Sequence, residues 1–274
     1  MMTPMQLARN NAPFDQSVWA MVEDEIKRVA TGCLSARQLL GITGPLGTDA
    51  AAINNGRTGA SGAAHGVRWR CRTSQPLVEI EIDFQIAREE IDAAVRGAGD
   101  PDWQPVEEAT YACNAFEEGL IYNGLTDDSG TVLCPGIQPS SEHPAITAGN
   151  DPESLLAAVA EAKVQLKRAG MAGPRALVFG AKAQGCLSGV HAPSGRPMGD
   201  VIADVLGGEI RWSPAVESAL VLAVGEQGEH FEPIIGNDLV VGYRGHDDQS
   251  VTLFLSESLT FLCHEPRAAV AISM

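Results

Sequence analysis

The segment from Gly47 to Ser74 constrains the fold of this chain more than any other. It is rich in Gly, Ala, Asn and Ser, and it shows little helical periodicity. Connections inside compact domains mostly run to roughly 4–6 residues, so a stretch this long is either disordered or used for contact with something else. Its far end, Val67-Arg-Trp-Arg-Cys-Arg72, alternates apolar with basic residues as a strand with one wet face would. An extended arm lying on a neighbouring subunit accounts for both halves; a floppy surface insertion is the competing reading.

The remainder reads as a mixed α/β chain able to bury a sizeable core. Asp15 is a good N-cap for a helix running to about Gly32, with Trp19, Val22, Ile26, Val29 and Cys33 at alternating three and four spacing. Such a stripe serves core packing or a binding face. Leu77 to Ile86 alternates as a strand, with Val78, Ile80, Ile82 and Phe84 opposite Glu79, Glu81 and Asp83. A long helix begins near Asp102, with Pro105 in its first turn and Val106, Ala109, Cys113, Phe116 and Leu120 on its apolar stripe. Asp151-Pro-Glu153 starts another helix, which Lys167, Arg168 and Gly170 stop. Arg175–Phe179 and Ile210–Trp212 read as strands, and Pro197–Leu206 as a helix. Ala219–Val224 and Phe231–Ile235 flank Gly225-Glu-Gln-Gly228 like a hairpin. From Leu239 onward, a strand, a turn and a long strand ending near Cys263 resemble partners for the first lobe, so the two lobes interleave.

The net charge is −16 and lysine occurs only four times, which disfavours nucleic-acid binding. No apolar run approaches the ~20 residues of a membrane helix, and Met1–Arg9 lacks the apolar core of a secretory signal, so a cytoplasmic protein is expected. Six scattered cysteines, without a Cys-x-x-Cys pair, read as reduced thiols.

Enzyme signatures fail one after another. None of the four lysines follows a glycine, so there is no phosphate-binding Walker loop. Gly97-Ala-Gly99 runs into Asp100-Pro101 where a dinucleotide fingerprint needs a third glycine. Gly59-Ala-Ser-Gly62 lacks the strand-to-helix context of a nucleophile elbow. No histidines are paired at helical spacing, and His246-Asp-Asp248 reads as a solvated turn. Glu117 and Glu118 are neighbours that do not face each other as a general acid and base would. No catalytic residue, metal site or cofactor is expected for this chain.

An ordered set of residues does carry a resemblance. Trp19, Gly44-Pro45, Trp69, Pro76-Leu77, Ile91-Asp92, Arg96-Gly97, Asp102-Trp103, Glu117-Glu118, Gly124, Gly173-Pro174, Pro214 and Gly236 through Cys263 together resemble the family 1 encapsulin shell proteins, of the linocin/bacteriocin-like family. The resemblance implies the tailed-phage major-capsid fold (Hong Kong 97 type), with a peripheral domain, an axial domain and an extended loop. Residues 1–46 would start the peripheral domain, 47–75 form the loop, 76–136 hold the long helix, 137–231 form the axial domain, and 232–274 close the peripheral domain and reach the C-terminus.

It also implies a function. The chain would be a non-enzymatic shell subunit, a homo-oligomer of about sixty copies closed into an icosahedral shell around a cargo enzyme. That cargo would be a dye-decolorising peroxidase or a ferritin-like protein carrying haem or iron, and a role in iron storage or oxidative stress follows. A loading peptide on the cargo would lie in a trough formed by Ala30, Leu34, Arg37 and Leu40 with Val240 and Val241 across it. Arg37 would be free to meet a carboxylate or a backbone carbonyl, and Arg37→Glu with Leu34→Asp would leave shells intact but empty. The loop Ser188–Pro197 would ring a pore lined by His191, Ser194 and Arg196, unless it is a surface turn facing nothing. A phage-type major capsid protein is the alternative, although the arm lacks the lysine that some phage shells crosslink to asparagine. A soluble hydrolase is a third reading, without residues to support it.

Overall fold

The structure, a computed structural model, describes residues 7–274; Met1 to Gln6, including the start of the segment read for a signal, lie outside the described residues. In chain order the elements are α1 (Gln16–Cys33), α2 (Ser35–Leu40), β1 (Ala52–Ala64), β2 (Val67–Pro76), β3 (Val78–Ala87), α3 (Arg88–Val95) and α4 (Gln104–Asn123). Short β4 (Leu125–Thr126), β5 (Val132–Cys134), α5 (Ile137–Ser140) and β6 (Ile146–Thr147) lead into α6 (Pro152–Arg168). Then come β7 (Arg175–Phe179), α7 (Ala181–Leu187), β8 (Val190–His191), β9 (Arg196–Pro197), α8 (Met198–Leu206), β10 (Gly208–Trp212) and β11 (Ala219–Ala223). The long β12 (Phe231–His246) and β13 (Ser250–Cys263) precede β14 (Ala269–Ser273).

Two sheets organise the molecule. The first has the order β12-β13-β3, antiparallel throughout. Strand β3 alternates as read, with Phe84 and Ile86 buried and the acids outward. Its apolar face packs with Val18, Trp19, Val22 and Ile26 of α1 and Val106, Ala109 and Cys113 of α4. Asp15 caps α1 by accepting from the Ser17 backbone N–H at 2.9 Å. Gly32 does not end α1; the helix runs to Cys33, and the chain breaks at Leu34 without a left-handed residue. Phe116 does not join the core of α4 but stands 39% exposed, whereas Glu117 and Glu118 are buried.

The second sheet has the order β10-β7-β11-β14-β6, with β7 and β10 parallel. Helices α6 and α8 pack with it around a core that includes Leu155, Leu166, Met198 and Ile202. The expected hairpin between β11 and β12 does not form. Strand β11 is buried along its whole length and sits between β7 and β14, while β12 pairs with β13. The reason is legible in Ala219-Leu-Val-Leu-Ala223, a run without polar alternation that needs neighbours on both edges and cover on both faces. The chain therefore passes from the second sheet into the first at β12 and returns to the second with β14.

The segment after Gly47 is a two-stranded arm. Strands β1 and β2 pair antiparallel from Ala52 opposite Pro76 to Ala64 opposite Val67. His65 and Gly66 both take positive φ at its tip, as a two-residue hairpin turn with the right twist requires. Sequence periodicity found the β2 half; β1 is a strand too, although its Gly, Asn and Ser content hides it. Nearly every side chain of the arm is exposed, including Val67 and Trp69.

Candidate functional site: a trough between the first helix and strand β12

A trough of about 340 Å³ runs between α1 with α2 on one side and Asp238–Val241 of β12 on the other. Helical spacing sets Ile26 and Ala30 one turn apart along it, and the break after Cys33 swings Leu34 and Arg37 into line. Leu34 and Val241 are buried and form its floor, while Ala30, Leu239 and Val240 are partly exposed. Arg9 closes one end. Its Nε donates to the Val241 carbonyl at 2.9 Å, an Nη meets Glu23 at 2.6 Å, and its guanidinium lies 4.7 Å over the Trp19 ring.

The structure brings together Ala30, Leu34, Arg37, Val240 and Val241 from the expected set. Leu40 is not with them: it is buried with Ala36, one helical turn before it, in the core that holds Leu120 and Ile121. Sequence reading missed Arg9, Ile26, Lys27, Asp238 and Leu239 on this lining. Ile26 was signalled by the apolar stripe of α1; Arg9 lies outside any periodic segment and carried no signal.

Arg37 is not free. Its Nε donates to Glu117 at 2.7 Å and its Nη2 to the other Glu117 oxygen at 2.9 Å; Nη1 reaches Asp238 at 2.9 Å, and Nη2 also bonds Glu257. Glu117 and Glu257 are almost wholly buried, so one guanidinium serves two carboxyls withdrawn from water beneath the trough. Burial pulls the Arg37 pKa down, but Glu117 and then Glu257 more than reverse this and hold it charged. Burial, reinforced by the nearby Glu117 charge, pushes the Glu257 carboxyl up to about 8.

The Ser188–Pro197 loop is capped by the short β8–β9 ladder. His191 Nδ1 lies 2.7 Å from Ser194 Oγ, and its Nε2 lies 3.9 Å from Glu153. Arg196 pairs with Asp204 at 2.7 Å. In the His246-Asp-Asp248 turn, Asp247 accepts from the Gln249 and Ser250 backbone N–H groups, which lowers its pKa. Among the described residues, no group of three or more His, Cys, Asp and Glu side chains could hold a metal ion, and no helix is long and apolar enough to cross a membrane.

A family profile described as encapsulating protein for peroxidase matches residues 4–260. The type 1 encapsulin shell protein of Mycobacterium tuberculosis is 33% identical over 268 residues, covering 97% of this chain and 98% of its own. That of Rhodospirillum rubrum is 34% identical over 273 residues, covering 97% and 95%. This chain belongs to the type 1 encapsulin shell family. Among solved structures, a virus-like particle from Pyrococcus furiosus superposes with a TM-score of 0.64 at 17% identity, covering 92% of this chain and 98% of that one. The capsid of Myoviridae phage XM1 does so with 0.55 at 13%, covering 86% and 90%. The fold is therefore the expected phage-capsid fold. The chain is an encapsulin shell subunit, and its relatives are named as shell proteins, in keeping with a non-enzymatic role.

Proposed function

We propose that about sixty copies close an icosahedral shell in the cytoplasm, and that the trough holds an extended peptide at the C-terminus of an enclosed enzyme. The observation carrying this reading is the trough itself: an apolar floor of Leu34 and Val241, partly exposed Ala30 and Val240 at its sides, and charged groups at its ends. That lining suits aliphatic anchors spaced along an extended segment, with polar groups fixing its direction. Lys27 on the same lining offers the cationic contact that Arg37 and Arg9, both engaged with acids of the fold, do not. The peroxidase in the family description supports a dye-decolorising peroxidase as the cargo, and a ferritin-like protein is the second candidate; haem or iron would belong to the cargo.

The residues 47–75, 76–136 and 137–231 would act as extended loop, helical peripheral domain and axial domain. Within the last, the Ser188–Pro197 loop would meet its copies around a pore, presenting His191, Ser194 and Arg196 to passing solutes. Membrane and nucleic acid are not partners in this reading.

Ala30→Arg tests the trough, because it fills it from an α1 position that is neither core nor ion-paired. Co-expressed with a tailed dye-decolorising peroxidase, the variant should form normal particles that retain less than a tenth of the wild-type cargo. A tail-deleted peroxidase should give the same emptiness with wild-type shells. Full loading of Ala30→Arg particles would reject the trough.

A further inference from the structure

Three carboxyls share one cation at the Asp238 end of the trough. Glu117, Glu257 and Asp238 all bond the Arg37 guanidinium, and among the described residues no second cation lies within ion-pair reach of any of them. Glu117 and Glu257 are sunk in the interior, whereas Asp238 lines the trough with 53% of its side chain exposed. Glu257 is therefore one guanidinium away from a charge that a bound tail would touch.

The elements packed around Glu257 fix what it can feel. From α2 comes Arg37, from α4 Glu117 and Cys113, and from β12 Asp238, while the residue opposite it on β3 is Ile80. Cys113 stays neutral, because burial, reinforced by Glu257, pushes its thiol up to about 12. Glu257 is pushed up to about 8 by burial and then by the Glu117 charge, against the pull of Arg37, and Asp238 raises it further. The buried carboxyl thus already responds to a charge standing in the trough. Coupling between two sites is reciprocal. A cation laid beside Asp238 must make Glu257 release its proton more readily, and an anion there must make it hold on.

We propose that the Arg37 corner makes the trough a proton-operated charge selector, which favours cationic side chains in a bound tail when Glu257 is ionised and loses that preference when Glu257 is protonated. Ionisation adds a negative charge beneath the trough and brings no counterion, since Arg37 is already divided among three acids. The added charge acts upward through Arg37 and Asp238, away from bulk water, so it is screened less than a surface charge would be. This deepens the peptide-binding reading and rests on it, by naming what regulates the same site.

The test opens shells in guanidinium chloride and closes them again, at steps from pH 6 to pH 9, around an equimolar mixture of two fluorescent proteins. Both carry the tail of a tailed dye-decolorising peroxidase, one with arginine and the other with glutamate on both flanks of its aliphatic anchors. The ratio of the two colours inside the particles cancels any difference in how well the shells close. It should favour the arginine tail about fivefold more at pH 9 than at pH 6, the low end of the usual coupling range because Asp238 is half-exposed. In Glu257→Gln shells the ratio should not change with pH. In Asp238→Asn shells, which keep Glu117 and Glu257 paired with Arg37, the midpoint of the change should move to lower pH, since Asp238 no longer raises Glu257. A constant ratio in wild type, a wild-type rise in Glu257→Gln, or an unmoved midpoint in Asp238→Asn would each overturn the inference. Should Glu257→Gln shells fail to close, the Asp238→Asn midpoint decides alone. Loading of neither tail above the level of tail-less protein would instead remove the trough reading beneath it.

Discussion

The Arg37 guanidinium donates to both oxygens of Glu117 in a two-pronged pair, at 2.7 and 2.9 Å, with Glu117 only 1% exposed. The same guanidinium bonds the buried Glu257 and the exposed Asp238, tying α2, α4, β12 and β13 together beneath the trough. Arg37 therefore acts first as a counterion of the fold, whatever passes above it. A planar fork with several fixed donors can satisfy this arrangement; a lysine could not.

Arg37→Glu with Leu34→Asp, which sequence reasoning pictured as giving intact empty shells, should instead fail to fold or assemble. Removing the cation strands the Glu117 charge in the interior and takes a donor from Glu257, and breaking such a buried pair costs about 3–5 kcal/mol before the new glutamate adds repulsion. Arg37→Met should already lower the urea midpoint, whereas Ala30→Arg should leave it unchanged. Soluble, particle-forming Arg37→Glu protein would show that the counterion role is misjudged.

Glu257 should make the subunit lose stability as pH rises. Its ordinary value is 4.5, and burial pushes it to about 8, so across that window the folded chain holds a proton that the unfolded chain has shed. The contribution is complete below about pH 4.5 and fades as pH climbs through 8, at no more than about 1.4 kcal/mol per pH unit. Urea midpoints at pH 5, 7 and 9, at fixed ionic strength, should fall more steeply for wild type than for Glu257→Gln. Parallel slopes would remove Glu257 as the titrating group.

The long periodic elements were legible because one rule runs through each: α1 by its three–four stripe, α4 by the same stripe except at Phe116, β3 by strict alternation, α6 by its Asp151 cap. The trough was half legible. Leu34 and Val241 sit where an apolar lining was expected, but Leu40 and Arg37 are claimed by the interior, and short α2 offers too few residues for a period to reveal which side faces in. The buried acids were illegible for a physical reason. A glutamate sinks into a core only if a distant segment brings partners, and Arg37, Glu117 and Glu257 are brought together by the fold alone.

Gly62 should prove necessary to the arm rather than to the core. A Cβ there would stand 2.6 Å from Cζ2 of Trp69, which crosses the strand pair directly over it. Gly62→Val must push the indole aside, yet the site lies on the exposed arm and away from both cores, so the subunit's stability should change by less than about 0.5 kcal/mol. The effect should appear in assembly: a smaller particle fraction by gel filtration at an unaltered urea midpoint. Equal loss of both would mean that the arm contributes to folding.

Glu118 is the second buried acid of α4, and its neighbours predict an ordering of variants. One oxygen accepts the Ala36 backbone N–H at 2.8 Å; the other accepts the Ser213 hydroxyl at 2.7 Å and the Ser35 hydroxyl. Burial raises its pKa, opposed chiefly by the Ser35 bond. Glutamine keeps the shape and one acceptor for Ala36, while its amide can donate to Ser35 and Ser213 once their hydroxyls rotate, so Glu118→Gln should cost little. Glu118→Leu fits the volume but leaves the Ala36 N–H and the Ser213 O–H without an acceptor in the interior, while the Ser35 hydroxyl keeps only Tyr122 at 3.0 Å, at about 1–3 kcal/mol for each group left unsatisfied. Equilibrium unfolding should therefore rank wild type close to Glu118→Gln and well above Glu118→Leu. A leucine variant as stable as wild type would show that water reaches those groups.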